Sequence, residues 1–127
     1  MNTGVWIDLK ILIVDDEIRI GNLLRIYLER ESFQVVVAEN GNEGLDRALK
    51  EDYDLIILDV LMPGKDGYQV LEDLRIVKNT PVIMLSAKCE SEDLKRGFDL
   101  GANEFISKPF SPNAVVIKIK ELLSQVS

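Results

Sequence analysis

Leu55-Ile56-Ile57-Leu58-Asp59 is an aliphatic run closed by an acid, and variants of that pattern recur along the chain. Ile11-Leu12-Ile13-Val14 runs into the pair Asp15-Asp16, and Val82-Ile83-Met84-Leu85 runs into Ser86. The shorter Phe105-Ile106-Ser107 leads to Lys108-Pro109. Runs this apolar read as strands buried on both faces, the mark of a parallel sheet under helices. Parallel strands all finish on one edge, and ligands of open α/β sheets bind in the crevice there. Three acids, a hydroxyl and a lysine are therefore expected to converge on one small site.

Working outward, strand and helix alternate five times from Lys10. Residues 1–9 read as a short lead-in, with Trp6 expected to pack on the body. The first helix is predicted from the stripe Ile20, Leu23, Leu24, Tyr27 and Leu28, spaced i, i+3, i+4, i+7, i+8. Val35 to Ala38 is the next strand, and the turn signal Asn40-Gly41 precedes a helix carrying Leu45, Ala48 and Leu49. The loop Met62-Pro63-Gly64-Lys65-Asp66-Gly67 leads to a helix with Val70, Leu71 and Leu74, stopped by Asn79-Thr80-Pro81. A helix around Leu94 and Phe98 ends near Gly101, suited to a left-handed cap. Ser111-Pro112 opens the last helix, with Val115, Val116, Ile119, Leu122 and Leu123 inside. Strict alternation implies right-handed crossovers and a doubly wound α/β fold with helices on both faces of the sheet.

With 127 residues the chain makes one domain with a real core. A net charge of −7 argues against this domain itself gripping nucleic acid. The single cysteine, Cys89, rules out an internal disulfide, and the lack of histidine rules out a Cys/His zinc set. A reducing, cytoplasmic compartment is expected. No apolar stretch approaches the ~20 residues of a membrane span.

An all-oxygen group of three carboxylates suits Mg²⁺ or Mn²⁺, which pair one or two carboxylates with waters and phosphate oxygens. A divalent cation would relieve repulsion among the acids, and Lys108 would add a second positive centre. Ser86 would give a hydroxyl hydrogen to a phosphoryl oxygen, and Asp59 would attack phosphorus to form an acyl phosphate. Each residue also has a plainer reading. Asp15, Asp16 and Glu17 could cap the first helix, Asp59 could end a strand, and Ser86 and Lys108 could be solvated loop residues. Their joint placement at the ends of different strands favours the site.

The chain resembles the receiver domain of two-component response regulators. The resemblance is carried by Ile13-Val14-Asp15-Asp16-Glu17, Leu58-Asp59-Val60-Leu61-Met62-Pro63-Gly64-Lys65-Asp66-Gly67, Ser86-Ala87-Lys88 and the segment from Gly101 to Phe110. It implies a flavodoxin-like (β/α)5 fold with strand order 2-1-3-4-5, a receiver over residues 10–125, and Asp59 as phosphoacceptor. Asp16 and Asp59 would ligate the metal directly, with the backbone carbonyl of Leu61, and Asp15 partly through water. Ser86 and Phe105 would take the switch positions, Lys108 would contact the phosphoryl group, and Lys108-Pro109 would be cis. The implied partner is a sensor histidine kinase.

Within the family, Lys108-Pro109-Phe110-Ser111-Pro112 resembles the winged-helix, OmpR/PhoB-type group. That implies transcriptional output through a DNA-binding domain lying outside this chain. The chain is read as either a whole protein or the first domain of a longer one. The group also dimerises through its fourth helix, fifth strand and fifth helix, by a basic residue facing a glutamate; here Leu94 and Ala114 stand at those places. Two alternatives stand beside this reading. A Mg²⁺-dependent aspartyl phosphatase would want an acid two residues after Asp59, where Leu61 stands. A stand-alone receiver-like binding module that no longer accepts phosphate would have lost an acid or the lysine, and none is lost.

Overall fold

The computed structural model describes residues 9–126, so Trp6 lies outside the described residues. Five strands alternate with five helices: β1 (Lys10–Val14), α1 (Ile18–Arg30), β2 (Gln34–Ala38), α2 (Gly41–Lys50), β3 (Leu55–Asp59), α3 (Gly67–Arg75), β4 (Val82–Ser86), α4 (Ser91–Leu100), β5 (Glu104–Ser107) and α5 (Pro112–Val126). The sheet runs β2-β1-β3-β4-β5 with every pair parallel.

Successive side chains of a strand point to opposite faces, and the core divides accordingly. Leu12, Val14, Ile56, Leu58, Val82 and Met84 pack with Ala48 of α2 and with Val70, Leu71 and Leu74 of α3. Ile11, Ile13, Leu55, Ile57, Ile83 and Leu85 pack on the other face with Leu24 and Leu28 of α1 and with Val115, Val116 and Ile119 of α5. Double-sided cover accounts for the unbroken aliphatic runs of β1, β3 and β4, whose Ile11–Val14, Leu55–Asp59 and Val82–Ser86 are all buried.

Several expectations need correction. The edge strands β2 and β5 are mostly half-buried, because each has a partner on one side only. Leu23, part of the stripe that predicts the first helix, stands at that helix's exposed rim, as Leu49 and Phe98 do on theirs. The third helix ends at Arg75, before Asn79-Thr80-Pro81, leaving Ile76 and Val77 exposed.

Arg75 has a structural task there. Its Nε and Nη2 donate to the Gly101 carbonyl at 3.1 and 2.9 Å, and Nη2 also reaches Asn103 Oδ1 at 3.2 Å. The same Asn103 oxygen accepts from the Val82 amide at 2.9 Å. Gly101 caps α4 at φ 109°, the left-handed conformation glycine adopts without strain. The C-terminal end of α4 is thus tied to α3 and to the start of β4. No helix among the described residues is long and apolar enough to cross a membrane.

Candidate functional site

Register brings the expected residues together. Val14 lies beside Leu58 and Leu58 beside Met84, so Asp15, Asp59 and Ser86 leave the sheet at neighbouring strand ends. Ser86 is level with Ser107, and the Lys108 amide donates to the Ser86 carbonyl at 2.8 Å. The Lys108–Pro109 bond is cis.

Carboxylate oxygens of Asp15, Asp16 and Asp59 all lie within 4.8 Å of one another. The Lys108 ammonium donates to Asp59 Oδ1 at 3.1 Å. It stands 3.6 Å from Asp15 Oδ2 and 3.7 Å from Glu17 Oε1. One cation thus faces three of the acids. Glu17, a helix-cap candidate from sequence, makes no cap bond with its side chain. Its place directly after the Asp15-Asp16 pair was the signal for a second role.

Asp15 and Asp59 are 0% and 3% exposed, which sets the electrostatics. Burial, then the charge of Asp15, pushes the Asp59 carboxyl up to about 6, against the pull of Lys108. Asp15 is raised as well, chiefly by burial, although its Oδ1 accepts from the Glu17 amide at 2.8 Å. Burial lowers the Lys108 ammonium, but the hydrogen bond to Asp59 and the charges of Asp15, Asp59 and Glu17 outweigh it, so the group is raised. Asp15 Oδ2 is buried without a hydrogen-bond partner. A shielded, unpartnered carboxylate oxygen beside two other carboxylates has the donor chemistry of a hard divalent cation site, so the residues fit such an ion.

The remaining expected residues frame this cluster. Leu61 is 60% exposed, in the loop between β3 and α3. That loop closes through the Gly67 amide on the Val60 carbonyl at 2.9 Å, and α3 starts on a capping box of Asp66 and Gln69. The Ser86 hydroxyl is buried and engaged locally, donating to the Lys88 carbonyl at 2.8 Å and accepting from the Lys88 amide at 2.9 Å. Cys89 is a free thiol near the Ser86 carbonyl, at 3.6 Å. Phe105 sits opposite Met84 in register, one side-chain step back from Ser86 on the same face of the sheet.

This fold, with acids and a lysine gathered at the carboxyl edge, defines a receiver. Residues 11–120 match the model of the response regulator receiver domain, and the chain belongs to that family. Over 118 residues it is 51% identical to the transcriptional regulatory protein ResD of Bacillus subtilis, covering 93% of this chain and 49% of that protein. Over 114 residues it is 51% identical to the transcriptional regulatory protein SrrA of Staphylococcus aureus, covering 90% of this chain and 47% of that protein. The chain thus spans about half the length of the curated relatives it matches. Among solved structures, the Francisella response regulator 1452 receiver domain superposes with a TM-score of 0.89 at 32% identity, covering 94% of this chain and 100% of the other. The chemotaxis protein CheY4 of Vibrio cholerae gives 0.85 at 32% identity, covering 90% and 98%. The domain is therefore a receiver of the two-component type, a phosphorylation-dependent signalling switch.

Proposed function

We propose that Asp59 is the residue that takes the phosphoryl group, delivered by a sensor histidine kinase. The observation that carries this is the 3.1 Å contact of Lys108 with Asp59, at the centre of the converged acids. An Asp59 oxygen attacks phosphorus, and the new O–P bond forms as the P–N bond of phosphohistidine breaks. The bonding pair leaves on the imidazole nitrogen, which takes a proton from solvent. Lys108 holds a phosphoryl oxygen, a role its contact with Asp59 supports, and Ser86 turns its hydroxyl from Lys88 to another. Asp15, Asp16, Asp59 and the Leu61 carbonyl are the group we assign to Mg²⁺ or Mn²⁺, which when bound neutralises the acids and the incoming oxygens. The same residues assist the domain's own phosphorylation from small donors and its slow hydrolysis by water.

Helix α1 begins two residues after Asp16, and its Ile18 and Ile26 are 53% and 49% exposed. These two exposed apolar side chains on the helix beside the site support docking of the kinase. When Ser86 moves toward the phosphoryl group, space opens for Phe105, and the α4–β5–α5 surface changes. Since ResD and SrrA are named transcriptional regulators, we carry that output over: a receiver over residues 10–125, acting in the cytoplasm, controls a linked DNA-binding domain, with homodimerisation through α4–β5–α5.

Incubation with acetyl phosphate and Mg²⁺, followed by intact-mass measurement, tests the assignment. One phosphate adduct is expected on the wild type and none on Asp59→Asn. A full adduct on the variant would refute it, and continuous hydrolysis of many phosphoesters would favour the phosphatase.

A further inference from the structure

Phe105 occupies a place in α4 that exists only because residue 97 has no side chain. A Cβ built on Gly97 would lie 2.2 Å from Cζ and 2.4 Å from Cε1 of the Phe105 ring, and 3.5 Å from Met84 Sδ. The tip of the ring therefore fills the volume a methyl group would take. Phe98, the next residue of the helix, closes the notch edge-on, its ring centre 5.3 Å from that of Phe105 at an interplanar angle of 66°. Gly97 is buried in the middle of α4, where glycine weakens a helix relative to alanine, by about 0.5–1 kcal/mol at an interior position. A helix-weakening residue whose missing side chain is replaced by the aromatic ring of another element points to a seat for that ring.

The seat has an exit. Phe105 is opposite Met84, and Ser86 follows two residues later on the same face, one side-chain step nearer the acids. At that step the Ser86 hydroxyl is bonded to Lys88. The ring is thus seated in the α4 notch, and the switch reading gives it a second position at Ser86. A methyl group at residue 97 would collide with the far end of a rotatable side chain, not with backbone, so the ring is the part free to yield.

We propose that Gly97 is a positioning residue that holds Phe105 in the resting conformation, so that the size of residue 97 sets how far the switch is already thrown before phosphorylation. The proposal rests on the reading of Phe105 as the moving part of the switch, and it adds what holds that part at rest. It predicts that Gly97→Ala moves the ring to the Ser86 side in the absence of phosphate. A protein whose competent conformation is populated at about one part in ten gains up to about tenfold in apparent affinity when that conformation becomes dominant.

The test uses the full chain as wild type, Gly97→Ala, Phe105→Ala and the double variant. Proton–proton contacts of the Phe105 ring are read by NMR without ligand, and beryllofluoride affinity is read with Mg²⁺. Wild type should show the ring against the Gly97 α-protons. Gly97→Ala should show it near Ser86 and Ala87, with affinity raised between about threefold and tenfold. In the Phe105→Ala background, adding Gly97→Ala should leave affinity unchanged. A ring that stays against residue 97 while α4 shifts overturns the proposal, as does an equal affinity gain in both backgrounds. A Gly97→Ala protein that unfolds also overturns it, since the ring then has no second position. Failure of the phosphoacceptor assignment appears separately, as wild-type protein that binds no beryllofluoride; the ring contacts then decide the seat on their own.

Discussion

Replacing Asp59 by asparagine should make the metal-free domain more stable at neutral pH, although it removes the phosphoacceptor. The carboxyl is held at about 6 in the fold against 3.8 for an ordinary aspartate, because it is buried and faces Asp15. A folded value above the unfolded one means that the neutral form favours folding. That contribution is complete below about pH 4 and is lost as pH rises through about 6. Above that range the ionised group opposes folding by about 3 kcal/mol. Asparagine removes the charge and keeps the shape, and the pull of Lys108 is already contained in the raised value. The net gain is about 3 kcal/mol, or about 11 °C in melting temperature for a domain of this size. Urea unfolding in EDTA from pH 4 to 8 measures it. The variant should lead at pH 7.5, the lead should shrink below pH 6, and it should vanish or reverse near pH 4. Millimolar Mg²⁺ should narrow it by stabilising the wild type. A variant no more stable than wild type at pH 7.5, or a lead that grows as pH falls, would refute the electrostatic account.

Three further outcomes are expected. Mg²⁺ should raise the melting temperature of the wild type more than that of Asp16→Ala; equal responses would remove Asp16 from the ligand set. Arg75→Ala should cost about 2 kcal/mol and speed amide exchange at Ala102 and Asn103, because it strips the Gly101 carbonyl of both donors; unchanged exchange there would argue against the clamp. The beryllofluoride-activated domain should dimerise through the face of Leu94, Phe105 and Ala114, with a dissociation constant that changes less than about threefold between low and high salt. On that face Phe98 and Ile117 are exposed, and the nearby cations already have partners: Lys118 with Glu104 at 3.8 Å and Lys95 with Asp99 at 2.7 Å. Sedimentation across a salt series would count against this if the dimer dissolved steeply with salt or never formed.

The parts of this molecule that read directly from sequence are those where one physical demand dominates. Burial on both faces leaves Ile11–Val14, Leu55–Leu58 and Val82–Leu85 as unbroken aliphatic runs, and the residue closing each run then lies at the carboxyl edge. The strand order had to come from the resemblance, since alternation alone leaves the sequence of neighbours open. The rims of helices were misjudged because a stripe of spacing i, i+3, i+4 is wider than the face that packs: Leu24 and Leu28 are inside, and Leu23 is not. Arg75 and Gly97 carry no such signal in the sequence. An arginine at a helix end and a glycine in a helix have no local signature of partners 26 and 8 residues away in sequence. Such contacts exist only once the sheet has set α3, α4 and β5 side by side.

The anchoring of α4 by Arg75 gives that helix the mechanics of a lever with a fixed fulcrum. Its Gly101 end is fastened, whereas its Ser91 end continues from the loop that follows Ser86. Ten residues at a rise of about 1.5 Å make an arm of about 15 Å. A tilt of about 5° then moves the Ser91 end by about 1.3 Å and the Gly101 end hardly at all. A partner that grips α4 near Asp99 and Leu100 would therefore meet nearly the same surface in both states. One that grips near Glu92 and Lys95 would feel the stroke.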